Sequence, residues 1–157
     1  MISQIKQKGF TIVELLIVIV VIAILAALSY VGYTSITARA NTSTAAASAK
    51  AVKDAAQTFN GAHGSWPTSK ADMVSGYPSG GTASDAISKL PNDIVFAADA
   101  AAITGLSSTA PKTVLVERSP STGTITGFRI TYRDFSKSQN VQVTVGETTT
   151  FATTAVQ

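Results

Sequence analysis

An acid stands where an acid is costly. Glu14 lies in the 21-residue stretch from Phe10 to Tyr30, which is interrupted otherwise only by Thr11 and Ser29. A carboxylate inside such a segment costs on the order of 2.5–3.5 kcal/mol at a bilayer centre, and less near the edge. By default it marks a functional site whose partner must be named. The chemistry open to it is ion pairing. The plain alternative is an ordinary membrane anchor whose Glu14 snorkels to the interface.

The other candidates are weaker. His63 is the only histidine, has no visible second ligand and reads as a solvated loop residue. Asp93 and Asp99 are close in sequence and are candidate calcium acids, but no ligand loop surrounds them, so they read as solvated. Arg129 and Arg133 share one face of an expected strand. DNA, a host surface or a neighbouring subunit would suit them, but charges of this kind more often face solvent and blunt aggregation. There is no cysteine, which excludes disulfides and thiolate chemistry. No nucleophile–base pair, carboxylate dyad, phosphate loop or metal spacing is present. The reading is therefore not an enzyme, with no cofactor, no metal and no small-molecule substrate.

The segment that holds Glu14 is long enough to cross a membrane. Leu15 to Leu28 are fourteen consecutive apolar residues. From Phe10 to Tyr30 a helix rising ~1.5 Å per residue spans about 31 Å, close to the ~30 Å of a hydrocarbon core. Only a helix satisfies its own backbone in lipid, which overrides the β-branched composition. Lys6 and Lys8 precede the run and should stay cytoplasmic, leaving the remainder of the chain outside. The net charge of +3 comes from 12 basic and 9 acidic residues. Without residues 1–9 it falls to +1, 10 against 9, so no nucleic-acid face is implied.

Residues Lys8-Gly9-Phe10-Thr11-Ile12-Val13-Glu14-Leu15 resemble the class III signal of type IV pilins and pseudopilins. That family has a short basic leader ending in Gly, commonly a Phe, a Glu at the fifth mature position, and an unbroken apolar helix. The resemblance implies cleavage between Gly9 and Phe10 by a prepilin peptidase, with N-methylation of Phe10. It also implies an assembly role for Glu14, whose carboxylate would meet the Phe10 amine of a neighbouring copy and so set the stagger of packed helices. The implied partners are the membrane, copies of the chain or sister pilins, the peptidase, an inner-membrane platform and an assembly ATPase. Nucleic acid enters only as a cargo of the filament. The implied location is the cytoplasmic membrane before assembly and the cell surface after it. An ordinary secretion signal is the competing reading, with Ala38-Arg39-Ala40 as its cleavage site. It fits poorly, because the apolar run is overlong and that tripeptide lies ten residues beyond Leu28.

The helix should continue past the membrane. No Gly or Pro occurs from Tyr33 to Phe59, and Ala is abundant. Ala45, Ala49, Val52, Ala56 and Phe59 form a one-face stripe, and Arg39, Lys50, Lys53 and Asp54 fall off it. Asn60-Gly61 is the expected stop. Many family members have a Pro at the position of Val31; here Gly32 is the candidate for loosening the helix. Trp66-Pro67 resembles the aromatic–Pro pair that often follows in the family, and Trp66 is expected to plug the base of the helix.

The remainder reads as a head. Ala83 to Leu90 is an expected short helix and Ile94 to Ala97 a short strand. Thr113 to Glu117 is a further strand, and Ser119 to Gly123 a turn. Thr124 to Arg133, with Phe128, Ile130 and Tyr132 alternating, and the repeat of Val141, Val143 and Val145 read as strands, with Thr148 to Thr154 as an edge strand. The expected fold class is α+β: a long N-terminal helix, transmembrane in its first half, packed on a small antiparallel sheet. The organisation is a leader over 1–9, the long helix over 10–59 and a head over 60–157. Three function classes fit: a pilus subunit serving adhesion, twitching or DNA uptake; a pseudopilin of a secretion machine; and a tethered domain that never polymerises.

Overall fold

In the computed structural model, residues 9–75, 90–106, 109–120, 123–147 and 151 are described. Helix α1 runs Ile12–His63. It is followed by α2 (Lys70–Ser75), β1 (Val95–Phe96), α3 (Ala100–Thr104), β2 (Thr113–Ser119), β3 (Gly127–Asp134) and β4 (Gln139–Gly146). The chain divides into two units, 1–37 and 38–157.

The first unit is helix with its apolar surface uncovered. Every large apolar side chain from Phe10 to Ile36 is between 48 and 87% exposed. Several hydroxyls in it turn back on the backbone. Ser29 Oγ donates to the Leu25 carbonyl at 2.8 Å, and Thr34 Oγ1 to that of Val31 at 3.0 Å. These bonds remove donors that would otherwise face hydrocarbon. Helical structure continues through Val31 and Gly32. Among the described residues, α1 alone is long and apolar enough to span a membrane.

In the second unit, the later part of α1 lies on the sheet. Ala45, Ser48, Ala49, Val52, Ala55, Ala56 and Phe59 are its buried residues, so the expected stripe is present and wider by Ser48 and Ala55. Ala49, Val52, Ala55 and Ala56 form one core with Val114 and Val116 of β2, Phe128 and Ile130 of β3 and Val145 of β4. Small helix residues let the backbone approach the sheet closely, and the large side chains come from the strands. The helix does not stop at Asn60-Gly61. A helical glycine costs only about 1 kcal/mol, and the Phe59 and His63 rings pack one turn apart at 4.5 Å. Gly64, at φ 68°, closes the helix instead, its N–H donating to the Asn60 carbonyl at 2.8 Å.

The sheet order is β1-β2-β3-β4. β2, β3 and β4 form an antiparallel meander, with Val116 opposite Ile130 and Ile130 opposite Val143. β1 adds a short parallel pairing with β2 to this antiparallel sheet. A parallel pair needs a crossover, and α3 supplies it. Beneath it, on the sheet face away from α1, Leu115 packs with Ala97 and Ile103. The expected helix at 83–90 and the expected edge strand at 148–154 lie almost wholly outside the described residues.

One carboxylate ties helix to sheet. Asp134 Oδ1 accepts from Thr42 Oγ1 on α1 at 3.1 Å, and from Ser136 Oγ, Ser136 N–H and Lys137 N–H at 2.6, 2.9 and 3.1 Å. The Ser136 hydroxyl first, then the Lys137 N–H and the Thr42 hydroxyl, hold this acid below the ordinary aspartate value. A lowered carboxylate stabilises the fold above the unfolded value of about 3.9, and that contribution disappears as pH falls through the folded value. Asp134→Asn should therefore melt below the parent at neutral pH and lose less melting temperature between about pH 5 and pH 2. Thermal melts followed by circular dichroism in detergent micelles read both.

Candidate functional site

The N-terminal constellation begins before the helix. Gly9 and Phe10 are exposed and non-helical, and Phe10 is 86% exposed. The helix starts at Ile12 rather than at Phe10, because Thr11 caps it. Thr11 N–H donates to Glu14 Oε2 at 2.8 Å, and Glu14 N–H donates to Thr11 Oγ1 at 3.2 Å. The Thr11 hydroxyl also donates to Glu14 Oε2 at 2.8 Å. This is a reciprocal capping box, Thr-x-x-Glu, and it satisfies two otherwise orphaned backbone donors. Glu14 is thus partnered within its own chain, through a signal already present in Thr11-Ile12-Val13-Glu14. Its negative charge also sits favourably against the helix dipole.

The arrangement presents an exposed peptide bond, Gly9–Phe10, two residues outside a capped helix. An accessible bond outside regular structure is what a peptidase can engage. The Phe10 nitrogen immediately precedes the Thr11–Glu14 cap. Residues 5–30 match the family model described as the prokaryotic N-terminal methylation motif. The chain carries a class III signal, that of type IV pilins and pseudopilins. The methylation motif supports a type IV pilin-like or pseudopilin protein that is anchored in a membrane before assembly. It ends at residue 30, within α1, and the head lies beyond it. No curated protein and no solved structure matches the chain.

The other residues singled out in the sequence go to structural tasks. His63 packs on Phe59 in the last turn of α1. Asp93 pairs with Lys112, whose ammonium holds the carboxyl below its usual value. Asp99 caps α3 by accepting from the Ala102 N–H at 2.8 Å. The two acids are thus engaged separately, and no metal-holding group of three or more His, Asp or Glu occurs among the described residues. Trp66 meets Phe128 edge-on at 5.8 Å and packs against the core at the end of α1.

Two polar features escaped the sequence reading. Asp72 is 2% exposed, and its Oδ2 accepts from Thr68 N–H, Thr68 Oγ1 and Ser69 N–H at 2.8, 2.8 and 3.0 Å, holding the start of α2. Ser69-x-x-Asp72 was its legible signal. The second corrects Arg129. It is no free surface charge: its Nε and Nη2 donate to Glu117 Oε2 and Oε1 at 2.7 and 2.8 Å, and Phe151 covers its guanidinium at 4.1 Å. Glu117 raises the Arg129 pKa above its ordinary value. Arg133 donates to Asn140 Oδ1.

The Glu117 and Arg129 side chains are only 10% and 26% exposed. Removing one leaves the other half-buried and uncompensated, at a cost of about 1–3 kcal/mol. Glu117→Ala should lower the melting temperature measurably. Adding Arg129→Ala should lower it by less than the sum of the two single effects, as a double-mutant cycle reads directly.

Proposed function

We propose that the chain is a major or minor subunit of a type IV pilus. A prepilin peptidase cleaves Gly9–Phe10 and methylates the Phe10 amine, and the mature subunit assembles through the first part of α1. The observation that carries this reading is the uncovered apolar surface from Phe10 to Ile36, headed by the methylation motif. In the membrane precursor lipid covers that surface, and in the filament the helices of other copies cover it. The platform protein and assembly ATPase of such systems are the expected partners. Adhesion, twitching motility and DNA uptake are the roles open to the filament. The same motif serves pseudopilins, and loss of exported enzymes on deletion, without loss of surface filaments, would select that reading.

The N-terminal mass of protein recovered from membranes or sheared filaments tests processing. A chain beginning at a methylated Phe10 is expected. A start at Met1 or near Asn41 would overturn the reading.

Glu14 has two proposed tasks, capping its own helix and pairing with a neighbour's Phe10 amine. Glu14→Gln separates them, because an amide oxygen still accepts from the Thr11 N–H but carries no charge. If pairing sets the stagger, Glu14→Gln and Glu14→Ala should both lose filaments. If Glu14→Gln assembles at the parental rate, the pairing role is wrong. Filament yield by shearing, beside total membrane-held protein, gives the comparison.

A further inference from the structure

A cleft opens at the end of the head where α1 stops, and Trp66 is its wall. One cavity of about 260 Å³ is lined by Trp66, Arg118 and Thr124 among others. An adjoining cavity of about 430 Å³ shares Ser65, Trp66 and Thr124 with it and adds Asn60 and Glu147. The indole is held in place from behind. Phe128 meets it edge-on, with ring planes at 77°. Gly146 is where the ring crosses β4: a Cβ there would stand 2.6 Å from the Trp66 ring and 2.4 Å from the Thr126 carbonyl oxygen.

Arg118 sets this cleft apart. Along β2 it alternates with Val114 and Val116, so it follows them on the sheet face that carries the core. Arg129 is paired with Glu117 and Arg133 with Asn140. The Arg118 side chain makes no hydrogen bond or ion pair among the described residues. A guanidinium without a partner among the described residues, beside a fixed aromatic ring, is a ready receiver for a ligand that carries both an anion and a flat face.

We propose that this cleft binds a sugar acid of the uronic type, with its carboxylate on Arg118 and its ring face on Trp66. The guanidinium fork matches a carboxylate in bidentate geometry. Asn60, Thr124 and Glu147 offer neutral and acidic acceptors for sugar hydroxyls along the remainder of the cleft. Glu147 also repels a second anionic group. That selects a ligand with one charge at the Arg118 end over polyphosphates or heavily sulfated chains. The volumes suit one or two sugar rings, at the small end of ligand pockets. The inference is independent of filament assembly, since all of these residues lie in the second unit.

Trp66 is the only tryptophan, so the indole emission of the full chain in detergent micelles reports on this cleft alone. The probes are methyl β-D-glucuronide and its neutral counterpart, methyl β-D-glucoside. The glucuronide should give a saturable change with a Kd on the order of 1 mM, and the glucoside should bind about ten-fold more weakly or not at all. Arg118→Gln should erase the preference for the glucuronide while leaving the thermal melt unchanged. The proposal fails if no saturable change appears up to about 50 mM glucuronide. It fails equally if the two sugars respond alike, if Arg118→Gln keeps the preference, or if sodium acetate alone reproduces the change.

Discussion

A backbone in hydrocarbon has no water to satisfy its polar groups, and that constraint organises the first unit. Helix is the structure that meets it for a single segment. The ends and the polar interruptions are where it is hardest to meet. Thr11 and Glu14 answer it at the start, by a reciprocal cap that satisfies backbone donors near the membrane edge. Ser29 answers it within the span by donating to the Leu25 carbonyl one turn back, and Thr34 does the same toward Val31 just beyond it. Glu14 therefore has a structural task before any neighbour arrives. A contact with another subunit must compete with the Thr11 bonds or share the carboxylate, which has two oxygens and room for several donors.

The head obeys a different constraint, a thin core without disulfides. Its answer is to spend small residues on the helix and large ones on the strands. Ala49, Ala55 and Ala56 are at most 2% exposed and admit Phe128 and Ile130 against the helix. Polar links then fix what the apolar contacts leave free to slide. Thr42–Asp134 joins helix to sheet, and Glu117–Arg129 joins β2 to β3 on the opposite face. Neither link is as strong as the burial it accompanies. Each has a directional geometry that pure apolar packing lacks.

What was legible in the sequence follows the strength of each periodic signal. Fourteen apolar residues in a row, the alanine stripe and the alternation through Phe128, Ile130 and Tyr132 announced α1 and β3 plainly. The methylation motif could be read because its chemistry depends on local order along the chain. The short strand at Ile94 to Ala97 was legible as β1, but its parallel pairing was not, since two residues leave no period and α3 hides in an alanine-rich run. The Glu117–Arg129 pair escaped for another reason. It depends on strand register, and register places residues twelve apart in the chain opposite one another. The Arg118 cleft was illegible too, because Arg118, Trp66 and Glu147 come from three separate segments.

The cap at Thr11 bears on maturation. Cutting at Gly9–Phe10 would leave every capping atom in place, so the helix has no new end to build afterwards. What changes is where positive charge resides. Lys6 and Lys8 would leave with the leader, and a single ammonium would appear at Phe10, one residue before the Thr11 cap. Methylation would keep that charge while removing one of its donors. The capped helix would then keep its start through maturation, and the two forms would differ in how a cation is presented at the head of an apolar helix. Maturation of this kind arms a subunit electrostatically without refolding it.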